Sequence, residues 1–216
     1  ACAPYRRLHL CHHNLESIQT NNYNSSNAKH KLLLEVCMAA KYEGESLKNY
    51  HAKYQEKYKD YGSTICTVLA RSFADIGDIV RGRDIFRGND KENKQRKQLE
   101  DNLRKIFENI YKELKNGNKR ALQERYKGDA KKNFYQLRED WWTANRETVW
   151  KAITCNVHGS DYFRHTCGDE KNPSPTHKQC RCDDKPNAGK GSGDVNIVPT
   201  YFDYVPQYLR WFEEWA

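Results

Sequence analysis

The chain has 216 residues, 31% of them charged, and a formal net charge of +8. Its mean hydropathy is -1.06, and no apolar run approaches the roughly twenty residues of a membrane span. This excludes membrane insertion of the segment itself, although a longer parent chain can be anchored. With 14 Tyr, 7 Phe and 5 Trp, so polar a chain folds around amphipathic helices and an aromatic-rich core.

The excess basic charge falls between Arg81 and Lys132, leaving the rest near neutral. A localised basic segment favours an anionic partner, or is only the wet side of two helices. The cysteines are Cys2, Cys11, Cys37, Cys66, Cys155, Cys167, Cys180 and Cys182. An even count in a polar chain predicts an oxidised, extracellular protein with all eight in disulfides. The sequence leaves their pairing open.

In chain order, CAPYRRLHLCHHN places Pro4, Arg6 and Arg7 between two close cysteines and reads as a pinned irregular segment. His9, Cys11, His12 and His13 invite a zinc reading, but adjacent histidines suit a tetrahedral site poorly and no second pair is suitably spaced. NNYNSSN at 21–27 is a polar loop with a formal glycosylation sequon at Asn24. Leu32, Leu33, Val36, Cys37, Ala39 and Ala40 predict a helix over 28–42. A further pattern over 47–61 sets Tyr50, Tyr54 and Tyr58 on one face, read as a packed seam in preference to a binding ladder.

STICTVLARSFA at 63–74 predicts a short buried helix capped by Ser63. In DIGDIVRGRDIFR, at 75–87, Gly77 and Gly82 interrupt the period without forming a phosphate loop. Arg81, Arg83 and Arg87 of this hinge either bind acid groups or tie it to carboxylates such as Asp75 and Asp78. Residues 89–116 predict an amphipathic helix on Leu99, Leu103, Phe107, Ile110 and Leu114. Asn116-Gly117-Asn118 stops it, and a short helical element follows at 121–127.

FYQLREDWWTANRETVWKAITC, at 134–155, organises the chain. Phe134, Leu137, Trp141, Thr148 and Ala152 form one track, with Trp142, Val149 and Ile153 beside it. Trp150 lies off both and predicts neighbours on more than one side. Residues 157–193 are rich in Gly, Pro, Asp, Asn and Lys, and read as a long irregular insertion stapled in part by disulfides. In VPTYFDYVPQYLRWFEEWA a new helix starts near Pro206 and carries Tyr208, Leu209, Trp211, Phe212 and Trp215. The apolar pattern is unfinished at Ala216, which predicts a C-terminally truncated domain.

Protease, hydrolase, kinase and deaminase signatures are missing, and bridged cysteines leave no nucleophile. The expectation is no enzyme, no catalytic or metal residues and no cofactor. A disulfide-bonded chain is not expected to meet nucleic acid. A sulfated glycan or sialylated surface suits the basic segment better, and a protein receptor meeting Tyr and Trp anchors with an Arg rim is an equal alternative.

ARSFADIGDIVRGRD at 70–84, REDWWTANRETVWKAITC at 138–155 and VPTYFDYVPQYLRWFEEWA at 198–216 together resemble the Duffy-binding-like domain. More narrowly, they resemble its alpha class at the head of the erythrocyte membrane protein 1 (PfEMP1) adhesins of Plasmodium falciparum. LCHHNLESIQTN at 10–21 is also similar to that class. The resemblance implies an all-α, disulfide-bonded multi-helix fold with long irregular loops and three subdomains. Here these are residues 1–62, residues 63–197 with the cysteine-rich loop, and the start of the third at 198–216. It further implies the extracellular face of the infected erythrocyte membrane, within a larger anchored protein, and a role in cytoadherence and rosetting.

The partners implied are heparan sulfate-like glycans, blood-group sugars or a protein receptor such as complement receptor 1, with antibodies also directed at such a surface. The alternative is a structural head unit whose neighbour carries the receptor site. Arg138, Asp140, Trp141, Trp142, Arg146 and Trp150 match the family's helix signature and are assigned to the scaffold. Asp75, Asp78, Arg81, Arg83 and Asp84 match its hinge signature and are expected to pair among themselves. Ligand contacts are expected on the basic surface, at Lys91, Lys94, Arg96, Lys97, Arg104, Lys105, Lys112, Lys115, Lys119 and Arg120.

Overall fold

A computed structural model describes residues 2–20, 27–58, 64–116, 124–169, 171–176, 178–182 and 197–215. The sequon at Asn24, the Ser63 cap, Gly117 and Asn118, Lys119 and Arg120, and the glycine-rich stretch at 185–194 lie outside these residues. The α-helices are α1 (Tyr5–Leu8), α2 (His13–Glu16), α3 (Ala28–Tyr58), α4 (Ile65–Arg81), α5 (Asp90–Asn116), α6 (Tyr135–Ile153) and α7 (Gln207–Trp215). Short 3-10 turns occupy Asp129–Lys132 and Phe202–Tyr204. The fold is mostly helical, as expected. A small antiparallel hairpin pairs β1 (Cys167–Asp169) with β2 (Asn172–Ser174), with Gly168 opposite Pro173.

Helix α6 packs on α3 and α4, and α5 closes the other side of α3. The core joins Leu32, Val36 and Ala40 of α3 to Leu69, Phe73 and Ile76 of α4, Leu103 and Phe107 of α5, and Trp142, Val149 and Trp150 of α6. The Phe73 ring lies 5.1 Å from both Trp142 and Trp150, a separation at which aromatic pairs attract. Trp150 also donates from Nε1 to the Cys180 carbonyl at 3.0 Å, so it meets neighbours on two sides. Thr148, placed on the apolar track by periodicity, is exposed.

Local signals explain the helix ends. Helix α5 opens with a capping box: Asn89 Oδ1 accepts from Glu92 N at 2.9 Å, and Glu92 Oε2 accepts from Asn89 N at 2.7 Å. Helix α4 closes on Gly82 at a φ of 71°. There Gly82 N donates to Ile79 O and Arg83 N to Asp78 O, a Schellman arrangement. The Asp129 carboxylate accepts from Gln136 N and Leu137 N at the start of α6.

Two glycines change the expected boundaries. Helix α4 runs unbroken through Gly77, where a Cβ would lie 2.7 Å from Trp142 Cζ2. Helix α3 is one rod through Gly44, where a Cβ would lie 2.1 Å from the Ile153 carbonyl oxygen. Each glycine costs about 1 kcal/mol of helix propensity relative to alanine, offset by the close approach of a second helix. The tyrosine seam is also corrected. Tyr50 and Tyr54 are 64% and 42% exposed, because the far half of α3 extends beyond the elements that cover its first half.

The cysteines divide. Cys66–Cys180 ties the start of α4 to the segment after α6, and Cys167–Cys182 staples the hairpin. Cys2, Cys11, Cys37 and Cys155, expected in disulfides, are free thiols. They sit on four separate segments, and pairing depends on approach in space, which an even count does not encode. Burial pushes the Cys11 and Cys37 thiols up to about 11, with Glu43 adding to the effect at Cys11.

Gly44→Ala and Gly77→Ala are both expected to lower the unfolding free energy in urea, by about 1–3 kcal/mol. Gly44→Ala is expected to cost more, because a backbone carbonyl cannot rotate aside as an indole can.

Candidate functional site

Helix α5 carries the basic surface. Leu99, Leu103, Ile106, Phe107 and Ile110 are buried along one side. Lys91, Lys94, Lys97 and Lys105 are exposed on the others, among acidic residues such as Asp90 and Asp101. At about 1.5 Å per residue these lysines span roughly 20 Å of helix. Lys112 is exposed and pairs with Glu108 at 2.9 Å. Arg104 is half-buried, and Lys115 lies in the last turn of the helix.

Arg96 differs from its neighbours. Its Nη2 lies 2.9 Å from Asp84 Oδ2 and donates to the Asp84 carbonyl at 2.9 Å. The guanidinium also sits over the Phe86 ring. Burial, with Arg7 adding to it, holds its pKa below the ordinary value despite the Asp84 charge. The predicted surface thus separates into outward lysines and an inward arginine that fastens α5 to the segment after α4.

A buried ionic network ties α1, α4, α6 and the C-terminal segment together. Asp203 accepts from Arg146 Nε and Nη2, both at 2.8 Å, and from Trp142 Nε1 at 2.9 Å. Asp75 lies 2.8 Å from Arg210 Nη2 and 2.8 Å from Arg6 Nη2, and Gln207 Nε2 donates to it at 3.0 Å. Asp78 pairs with Arg81 at 2.9 Å and also with Arg210. Arg6 reaches Glu214 with two bonds, of 3.0 and 2.8 Å.

Burial alone would raise the Asp75 carboxyl, but Arg6 and Arg210 more than offset it and hold it below the usual range. Burial pushes Asp78 up to about 6 against the pull of Arg210 and Arg81, with Asp75 adding to the rise.

The hinge residues therefore pair differently from the expectation. Only Asp78 and Arg81 pair within the set. Asp75 turns to Arg6 and Arg210, Arg83 to Glu139 at 2.8 Å, and Asp84 to Arg7 and Arg96. The reason is that α4 continues through Gly77 and turns at Gly82, so these side chains meet four other elements, α1, α5, α6 and α7. Arg138 is buried and lies 2.8 Å from Glu100. Asp140 accepts Arg125 at 2.6 Å near the surface, and Trp141 packs edge-on to Phe107.

Sequence reasoning missed Asp203, Gln207 and Arg210. All three are buried, and their spacing of four and three within an aromatic run was the available signal. Among the described residues, no group of three or more His, Cys, Asp or Glu is placed to hold a metal ion.

Residues 1–210 match the family model described as the Duffy binding domain. No curated protein matches. The crystal structure of the NTS-DBL1(alpha-1) domain of PfEMP1 from the Plasmodium falciparum varO strain is 43% identical, with a TM-score of 0.70 over 100% of this chain and 43% of that one. The NTS-DBL1-alpha and CIDR-gamma double domain of the same strain is 42% identical, with a TM-score of 0.73 over 100% of this chain and 27% of that one. The PfEMP1 IT4var13 DBLbeta domain bound to ICAM-1 is 31% identical, with a TM-score of 0.66 over 100% of this chain and 44% of that one. The chain thus spans less than half the length of these solved chains.

Asp203→Ala leaves the Arg146 guanidinium buried without its carboxylate and is expected to cost about 3–5 kcal/mol of unfolding free energy. The Asp78 value of about 6 lies above the ordinary 3.8, so the folded chain holds an extra proton between the two values. Asp78 thus adds stability as pH falls from about 6 towards 4, and that contribution is lost as pH rises through 6. Unfolding measured across this range is expected to show wild type gaining on Asp78→Asn as pH falls.

Proposed function

This chain belongs to the Duffy binding domain family, and we propose that it is an adhesion module displayed on the infected erythrocyte as part of a larger anchored protein. In this reading it performs no reaction. Its lysine-bearing α5 face meets sulfated host-cell glycans of the heparan sulfate type.

The observation that carries the reading is the group Lys91, Lys94, Lys97 and Lys105, exposed on a helix whose apolar side is fully committed to the core. Ammonium groups on flexible stems suit a sulfated polymer, which presents many anions without one fixed geometry. The contact is electrostatic and weakens with salt.

A second reading, contact with a protein receptor, is favoured by a different observation. Tyr208, Phe212 and Trp215 of α7 are exposed, and such side chains anchor protein interfaces. A relative in the same family was solved bound to ICAM-1.

Replacing Lys91, Lys94, Lys97 and Lys105 together by Gln is expected to lower the salt at which the chain elutes from immobilised heparin and to flatten the salt dependence of its binding. Exposed substitutions of this kind typically shift stability by only about 0.5 kcal/mol each. Unchanged elution would overturn the glycan reading. Binding to a trypsin-sensitive cell-surface component, little affected by salt, would favour the protein receptor.

A further inference from the structure

One face of α3 changes character along its length. Val36, Ala39, Ala40 and Glu43 are buried on it, and Leu47 is half-buried. Tyr50 and Tyr54 then emerge at 64% and 42% exposure. Steps of three and four residues keep them all on one side of the rod. The same steps add Lys57 beside the tyrosines and Lys53 at their edge, both exposed. Two phenol rings and two ammonium groups thus alternate where α3 projects past the elements that cover its first half.

The carboxylates of this half-helix lie elsewhere. At about 100° per residue, Glu45 and Glu56 sit more than 100° around the helix from both tyrosines. Glu45 there accepts from Asn156 Nδ2 at 2.9 Å. Glu43, on the tyrosine side but inside the core, accepts from Cys11 N at 2.9 Å and Ser72 Oγ at 2.6 Å. The projecting tyrosine side therefore carries cations and rings.

We propose that this projecting face is a second contact for the sulfated glycan, with sugar rings lying on Tyr50 and Tyr54 while Lys53 and Lys57 meet the sulfates. The partner class rests on the glycan reading of α5. Cations on a face without carboxylates favour an anion, and a pair of tyrosines favours a flat body with an apolar side between the anions. Area argues against a protein partner. The two tyrosines expose roughly 200 Å² between them, against about 800 Å² per side in a stable protein interface. A flexible polymer gathers several weak contacts along its length and needs no such area at any one of them.

The test is binding of a size-defined heparin oligosaccharide to the whole chain over a range of salt concentrations. Tyr50→Ala with Tyr54→Ala is expected to weaken binding about two- to tenfold and to leave its salt dependence unchanged. Lys53→Gln with Lys57→Gln is expected to weaken it and to flatten the salt dependence. Tyr50→Phe with Tyr54→Phe keeps the rings and should bind as wild type does. All these positions are exposed, so helical content by circular dichroism should stay that of wild type.

Wild-type affinity in the tyrosine-to-alanine pair would overturn the α3 contact and leave the α5 reading standing. Weakened binding in that pair, with no effect of replacing the four α5 lysines, would support the α3 contact and overturn the α5 reading. A single-stranded oligonucleotide of equal charge binding as tightly as heparin would overturn the assignment to a glycan.

Discussion

The Asp203 carboxylate is the constraint on which the rest of the structure depends. It sits in a 3-10 turn just before α7 and accepts Trp142 Nε1 together with two nitrogens of Arg146. Three hydrogen bonds from α6 thereby fix where the C-terminal segment crosses the bundle. In the first turn of α7, Arg210 is delivered to Asp75 and Asp78 of α4. Such a network adds little net stability against well-packed apolar side chains, because each charge loses its water. Its consequence is register. Any slip of α7 along α4 would leave buried charges without partners.

Register at that junction matters because α4 leads into the segment that fastens α5. Trp142, locked by Asp203, lies over Gly77 of α4 with no room for a side chain between them. Beyond Gly77 the chain turns at Gly82 and reaches Asp84, where Arg7 and Arg96 converge. Arg138 of α6 meanwhile holds Glu100. Helix α5 is thus tied near its start to the segment after α4 and, through Glu100, to α6. Its lysines are displayed from a fixed rod.

Much of this was legible, for reasons that differ from element to element. Helix α5 could be read in full because its apolar residues recur every three or four positions and Asn116-Gly117-Asn118 marks its stop. Gly77 interrupts the apparent period of α4, and the apolar pattern of α3 lapses around Gly44. Their role is close approach to Ile153 and Trp142, a fact about partners distant in sequence. Tyr50 and Tyr54 were misplaced because a periodic stripe shows that residues share a face without showing that anything covers it. The eight cysteines were counted correctly, but pairing is set by the path of the chain, and four of them meet no partner. Asp203 and Arg210 were passed over because charges in an aromatic run resemble a solvated edge until the opposing charges on α4 are seen.

The cost of changing a residue separates the two classes of charge in this molecule. Removing a buried partner such as Asp203 strands an arginine in the interior, which few substitutions can repair. Removing an exposed lysine of α5 costs almost nothing in stability. A family member can therefore alter its outward charges freely while the scaffold beneath remains the same. Arg96 lies between the classes: it stands in the lysine-rich helix but faces Asp84. A change there would alter the attachment of α5 as well as its charge, so Arg96 belongs with the scaffold even though its position in the sequence places it among the outward lysines.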